Sequence, residues 1–287
     1  MANYPKISII TTSLNQGAYI ESAILSVLGQ GYPNLEYIII DGGSEDGTVD
    51  ILKKYDNQIT YWQSKEDGGE SDAANQGFNR ATGDILSWMA SDDMYMPGVF
   101  QKVVQLLDPL QKQILCGNVL HFVEETGSAW GSKVPEAFNK LDLRYSNFII
   151  QPGTFWTRKT WETLAGFDTS LHYAMDWDFW LRAKKNEVQF IPTSEYLSIY
   201  RLHSQHKSTQ TGGESRIKEI SALIGKNLTP KHGAFYHAWN TRSSRNGTIR
   251  KLFEKIKMGR LYFLLLRILW FRTAGNLSTE DIRKLVG

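Results

Sequence analysis

The sequence predicts an α/β fold, with a mostly parallel central sheet, helices on both of its faces, and a C-terminal helical tail. Three observations carry this expectation. Short apolar, β-branched runs alternate with helix-patterned stretches through the first half of the chain, as right-handed βαβ units require. Polar residues follow directly on several of those runs, the pattern of parallel strands whose carboxyl ends deliver ligand-binding groups to one edge. The 287 residues are 41% hydrophobic, 12% aromatic and 22% charged, enough for one large core and unlike a disordered or small stapled chain.

Each element follows from its local pattern. Ile7 to Thr11 reads as a buried strand that ends at Thr12 and Ser13. Asn15 is expected to cap a helix whose apolar residues Ile20, Ala23, Ile24, Val27 and Leu28 recur at helical spacing until Gly29 and Gly31 stop it. Leu35 to Ile40 is a second strand, ending in Asp41, and the turn from Gly42 to Gly47 leads to a helix over Thr48 to Tyr55. A strand over Ile59 to Gln63, a helix over Glu70 to Ala81 and a strand over Asp84 to Ala90 come next, with Ser91-Asp92-Asp93 immediately behind. A helix is predicted from Pro97, where the missing N–H of proline costs nothing, and Ile114 to Val123 completes the regular part.

The second half is less regular. Residues 124–146 are polar and contain glycine, as a surface loop would. Gln151-Pro152-Gly153-Thr154-Phe155 leads to a helix near Lys159 to Ala165, Asp176-Trp177-Asp178 lies in a helix-like stretch, and Val188 to Arg201 is rich in strand formers. The expected organisation is a domain over residues 1–210 and a basic, partly amphipathic helical extension over 211–287.

Charge and cysteine usage narrow the function classes. The net charge of +2 divides unevenly: residues 245–287 carry ten Lys/Arg against three Asp/Glu, which leaves 22 basic and 27 acidic residues in the rest. An acidic body argues against broad nucleic-acid binding, and the basic tail points to a localised anionic partner. The apolar stretch Leu261 to Phe271 has eleven residues, too few to cross a bilayer. With Lys257, Arg260 and Arg267 along one side, it suits a helix lying on an anionic membrane surface, or one packed on the preceding domain or a second copy of the chain. A single cysteine, Cys116, and the lack of a charged-then-apolar leader before Ile7 lead to the expectation of a cytoplasmic protein.

Four groups of residues carry candidate chemistry. Asp92-Asp93 after a buried strand suits Mg²⁺ or Mn²⁺ bridging to a diphosphate, or equally an acidic helix N-terminus. Asp41 could accept from a nucleobase N–H, or simply close an Asp-Gly turn. Asp176, beside aromatic residues, suits a general base, while Asp178 is expected to pair with Arg182 four residues on. His203 and His206 follow a strand, where an imidazole could complete a metal site and the nearby Arg201 and Lys207 could face phosphate. Gly-x-Gly-x-x-Gly after the first strand and the P-loop pattern are both missing, which removes the main support for dinucleotide oxidoreductases and P-loop enzymes.

Taken together, eight segments resemble, in family order, the inverting glycosyltransferases of family 2, which have the GT-A fold of nucleotide-diphospho-sugar transferases. These are Ile7 to Asn15, Ser26 to Pro33, Asp41 to Thr48, Ser71 to Gly77, Ala81 to Asp84, Ser91 to Asp93, Gly166 to Asp168 and Asp176 to Asp178. The resemblance covers residues 6 to about 207. It implies a donor site of Thr12, Ser13, Asn15, Asp41, Gly43, Asp72 and Asp92, in which Thr12 and Asp41 hold the base and Asp92 meets the ribose. It further implies a divalent metal, Mn²⁺ or Mg²⁺, at Asp93 with His203 assisting, Asp176 as catalytic base, and an acceptor side including Gln151, Thr154 and Trp177. Three positions depart from the usual pattern: Ser91 stands where a further Asp is common, Gly42 where a second acidic residue is common, and Leu14 where an aromatic often touches the base.

The implied reaction moves a sugar, with a UDP-sugar the first expectation, to a hydroxyl of a glycan or lipid-linked acceptor. The expected setting is bacterial surface-polysaccharide or lipopolysaccharide assembly, peripheral on the cytoplasmic face of the inner membrane. The alternative from another class is a non-catalytic sugar-nucleotide-binding subunit of an assembly complex. A nucleotidyltransferase of similar fold is a further rival, but the glycine-and-lysine-rich loop of such enzymes is missing.

Overall fold

The computed structural model describes residues 4–207, 213–241 and 277–286. They fall into two compact units, one within Met1–Lys140 and Phe148–Ser204, the other within Leu141–Asn147 and Gln205–Gly287. The first unit runs β1 (Ile7–Ser13), α1 (Ile20–Leu28), β2 (Leu35–Asp41), α2 (Thr48–Lys54), β3 (Tyr61–Ser64), α3 (Glu70–Arg80) and β4 (Ile85–Ala90). It continues with β5 (Met94–Tyr95), α4 (Val99–Leu106), β6 (Gln113–Val123), β7 (Ala129–Gly131), α5 (Val134–Lys140), β8 (Thr154–Thr157), α6 (Arg158–Leu164), α7 (Met175–Lys185) and β9 (Gln189–Leu202).

The nine strands of the described residues form one sheet in the order β3-β2-β1-β4-β8-β6-β9-β5, with β7 paired to β6. The sheet is α/β but mixed. Strands β3, β2, β1 and β4 are parallel neighbours, as are β6 and β9, whereas β8 runs antiparallel between β4 and β6. The mostly parallel expectation is corrected at β8, β5 and β7, all of them antiparallel to their neighbours. A four-residue strand such as β8 carries no sequence mark of its direction.

Helices cover both faces, which is why β1 and β2 are buried along almost their whole length rather than at alternate residues. On one face Ile7 and Ile9 of β1 pack with Ile20, Ile24 and Val27 of α1 and with Val99, Phe100 and Val103 of α4. On the other, Phe78 of α3 meets Trp156 of β8, Trp161 of α6 and, through Phe167, Phe179 of α7. Each such buried ring contributes about 1.5–3 kcal/mol relative to exposure. Close helix-to-sheet approach needs glycine at 77, since a Cβ there would lie 2.5 Å from Ile10 Cγ2.

Several boundaries differ from the sequence reading. Asn15 does not cap α1: it is left-handed at φ 52°, and its Oδ1 accepts from Glu45 N–H at 2.9 Å across to the next loop. Helix α1 begins instead from a turn in which the N–H groups of Tyr19 and Ile20 both donate to the Gln16 carbonyl. β3 starts at Tyr61 because Gln58 and Ile59 still donate to the Tyr55 carbonyl. Helix α4 starts at Val99, not Pro97, after a left-handed Gly98 at φ 72°. Residues 124–146 are not one loop, since β7 extends the sheet and α5 follows it, both too short to show a period.

In the second unit, α8 (Gly213–Asn227) and α9 (Pro230–Asn240) form a hairpin that buries Leu223, Ile224, Phe235 and Trp239. Helix α10 (Thr279–Val286) is anchored by Asp281, which accepts from Tyr145 Oη at 2.7 Å and from Ser278 N–H at 3.0 Å. Among the described residues no helix is long and apolar enough to cross a membrane. The amphipathic stretch Leu261 to Phe271 lies outside the described residues.

Candidate active site

Strand register brings the expected donor residues to one edge. Ser13 lies opposite Asp41, Asp41 opposite Ser64, and Thr12 opposite Ala90, so the segment Ser91-Asp92-Asp93 begins beside the end of β1. Asp41 is fully buried. Its Oδ2 accepts from Ser44 N–H at 2.9 Å, Ser64 Oγ at 2.6 Å and Gly43 N–H at 3.2 Å, while Oδ1 takes only the Ser44 hydroxyl at 2.5 Å. One lone pair of Oδ1 is thus left for a further donor such as a nucleobase N–H. Gly43 is left-handed at φ 87°, and a Cβ there would sit 3.2 Å from Glu66 N, so only glycine lets the two loops meet.

The remaining donor-side residues split between framework and edge. Asn15 links the first two loops, its N–H donating to Ser44 Oγ at 2.7 Å. Thr12 Oγ1 accepts from Trp88 Nε1 at 3.0 Å, whereas Ser13 Oγ is buried without a hydrogen-bond partner, a group a ligand can satisfy. Leu14 is 56% exposed, and its Cδ1 lies 3.4 Å from where a Gly42 Cβ would be. Asp72 is drawn into its own helix, with Oδ2 accepting from Gly68 N–H at 2.9 Å and Gln76 Nε2 at 2.8 Å.

Asp92 and Asp93 are both buried. Asp93 Oδ1 accepts from Arg201 N–H at 2.9 Å, but Oδ2 has no hydrogen-bond partner. Burial, and then the neighbouring Asp92 carboxylate, push the Asp93 carboxyl well above the usual range. Asp92 Oδ2 meets His203 Nε2 at 3.1 Å, and the His203 ring packs on Tyr19 with centroids 4.2 Å apart. Arg201 does not face phosphate: its guanidinium is spent on the Asp92 carbonyl (3.0 Å), Glu124 (2.9 Å) and Ser22 Oγ (3.0 Å). Among the described residues no group of three His, Cys, Asp or Glu side chains forms a complete metal site. The orphaned Asp93 oxygen beside Asp92 nevertheless fits a hard cation that takes its other ligands from a substrate diphosphate and water.

The N-terminus of α3 connects this pair to the expected base. Glu70 lies close enough to Asp93 to help raise its pKa, and Ser71 Oγ bonds the Leu171 carbonyl at 2.6 Å and Met175 Sδ at 2.8 Å. Asp176 follows Met175 in the first turn of α7, half-exposed, with Oδ1 accepting from Trp177 N–H at 2.6 Å. Asp178 is buried and bonds Arg182 Nε at 2.6 Å, and Arg182 also ties to the Leu164 and Gly166 carbonyls, so this second carboxylate is structural.

On the expected acceptor side, Gln151 Nε2 donates to the Trp88 carbonyl at 2.5 Å. Thr154 is fully buried, its hydroxyl donating to the Gln151 carbonyl at 2.6 Å, and Trp177 is buried as well. These two brace the Gln151–Gly153 turn and α7 rather than offering surface. Sequence reasoning missed Trp88, which joins Thr12 to Gln151, and Tyr19 and Glu124, which meet His203 and Arg201. Nothing in spacing along the chain could pair Glu124 or Ser22 with residue 201.

Residues 8–163 match the family described as Glycosyl transferase family 2. An uncharacterized glycosyltransferase of Rickettsia typhi is 31% identical over 229 residues, 76% of this chain and 70% of that protein. Among solved structures, S. aureus TarS in complex with UDP-GlcNAc superposes with a TM-score of 0.63 at 18% identity, covering 98% of this chain and 78% of that one. The mannosyltransferase PcManGT of Pyrobaculum calidifontis, in complex with GDP-Man and Mn²⁺, gives 0.61 at 16% identity, covering 99% and 87%.

Proposed function

Because this chain belongs to glycosyltransferase family 2, we propose that it transfers a sugar from a nucleotide-diphospho-sugar to a hydroxyl of a glycan or lipid-linked acceptor, inverting the anomeric centre. The observation that carries this reading is the buried, unpartnered Oδ2 of Asp93, set beside Asp92 near the strand ends that hold Thr12, Ser13 and Asp41. Asp41 Oδ1 and Ser13 Oγ offer hydrogen bonds to the nucleoside, Asp92 would meet the ribose, and Asp93, with His203 assisting, would hold a divalent cation against the diphosphate. When bound, that ion supplies charge neutralisation for the leaving group.

Asp176 takes the proton from the acceptor hydroxyl as its oxygen attacks the anomeric carbon from the face opposite the diphosphate. One new C–O bond forms as the sugar–phosphate bond breaks, and the electron pair leaves on the nucleoside diphosphate. UDP is the first nucleoside diphosphate to test, with Mn²⁺ and Mg²⁺ as metals, since the neighbours of this fold include one complex with UDP-GlcNAc and one with GDP-Man and Mn²⁺. A lipid-linked acceptor at a cytoplasmic membrane face agrees with the excess of Lys and Arg after residue 245.

The test is Asp176→Asn. Donor affinity should stay within about twofold of the unmodified protein while transfer falls by roughly 10²–10⁴-fold. Transfer that continues unchanged would remove Asp176 from the mechanism.

A further inference from the structure

From the geometry of β6, β7 and β9 we propose that the ring row Trp130–His121–Tyr200 is an acceptor subsite that stacks a pyranose unit of a glycan. This deepens the glycosyltransferase reading and rests on it. His121 of β6 is paired in register with Trp130 of β7 on one side and Tyr200 of β9 on the other. The His121 and Trp130 rings are stacked, with centroids 5.1 Å apart and planes within 5°, and Tyr200 meets His121 edge-on at 5.5 Å. Three rings therefore form one row across three strands, and its outer member, Trp130, is 49% exposed.

Trp130 lies on the edge strand β7 and leaves a flat ring half-exposed, which a ligand with an apolar face can cover. The C–H face of a pyranose matches it: those hydrogens carry partial positive charge and the aromatic face partial negative charge. Burial lowers the His121 pKa, so the middle ring is neutral at neutral pH and presents no competing charge. The row is also held from behind. Tyr196 lies across Gly131 on the opposite face of the sheet, where any side chain at position 131 would collide with its hydroxyl.

Position relates the row to the reaction. Side chains alternate along β6, so His121 shares its face with Val119. Val119 is the residue against which Gly153 packs, with a Cβ at 153 falling 2.5 Å from Val119 Cγ2. Gly153 ends the Gln151–Gly153 turn, Gln151 bonds the Trp88 carbonyl, and Trp88 bonds Thr12 on the donor edge. From Val119 to His121 is one pleat repeat, roughly 7 Å, about the size of one sugar ring. The row thus continues the donor edge outward past the turn, where the unit of an acceptor glycan beyond the attacked one would lie.

The test is saturation-transfer NMR on the full chain with methyl α- and β-glycosides of glucose, galactose, mannose and N-acetylglucosamine, run without nucleotide and again with excess UDP. At least one glycoside should show transfer that persists with UDP, falls at least threefold in Trp130→Ala and in His121→Ala, and returns in Trp130→Phe. A melting curve for each variant keeps a folding defect from passing as lost binding, and His121→Ala answers for Trp130→Ala should that variant unfold. Absence of transfer from every glycoside, or transfer in both alanine variants equal to that of the unmodified protein, overturns the proposal. Failure of the unmodified protein to bind any nucleoside diphosphate counts instead against the glycosyltransferase reading, because the nucleotide-free arm reports on the ring row alone.

Discussion

The backbone N–H of Arg201 bonds Asp93 Oδ1 at 2.9 Å, across 108 residues of sequence, while Asp93 Oδ2 stays buried without a partner. The last strand of the sheet therefore holds the acidic pair by main chain and leaves one oxygen for a ligand. The Arg201 side chain completes the brace through the Asp92 carbonyl, Glu124 and Ser22.

Arg201→Lys should keep the main-chain bond and lose the guanidinium fork. Stability should drop by about 1–3 kcal/mol, the usual cost of charged hydrogen bonds in a buried setting. Urea unfolding measures it. A change below about 0.5 kcal/mol would mean that the fork contributes little.

Glu36 gives a pH dependence of defined sign. Burial acts to raise its pKa, but hydrogen bonds from Ser8 Oγ, Thr82 N–H, Lys6 Nζ and Thr82 Oγ1 outweigh it and hold the carboxyl down at about 2. The contribution is fully present above the ordinary glutamate pKa and is lost as pH falls from there toward 2. It is on the order of 3 kcal/mol at neutral pH. Glu36→Gln should lower stability at pH 7 and flatten its fall between about pH 5 and pH 2. Parallel curves for the two proteins over that range would refute the assignment.

The excess of positive charge after residue 245 predicts attraction to anionic membranes. Each Lys or Arg near such a surface contributes about 1 kcal/mol. Replacing Lys257, Arg260 and Arg267 with Glu should reduce co-sedimentation with phosphatidylglycerol vesicles at least tenfold at low salt. Equal sedimentation of the two proteins would rule out charge-driven attachment through this stretch.

Much of the fold was legible because its strongest signals are local. β1, β2 and β4 are short runs rich in strand-forming residues and buried along almost their whole length, and Asp41 and Asp92-Asp93 stand where parallel strands must release the chain. What stayed hidden depends on tertiary contact. Asn15 has the side chain of a helix cap, yet its Oδ1 is claimed by Glu45 on the neighbouring loop, so it turns left-handed and α1 starts five residues later. Arg201 read as a free cation because Glu124 and Ser22 are remote in sequence. β7 is three residues long, and its place is fixed by pairing with β6 rather than by any pattern in Ala-Trp-Gly.

The central claim is that Asp93 is the metal-side anchor of a nucleotide-sugar site, and calorimetric titration with UDP, GDP and dTDP, each with and without Mn²⁺, tests it most directly. The account predicts that one diphosphate binds, that Mn²⁺ strengthens its binding at least tenfold, and that Asp93→Ala abolishes that gain while leaving the melting temperature within a few degrees. Binding of none of the three, or a Mn²⁺ effect that survives in Asp93→Ala, would contradict it.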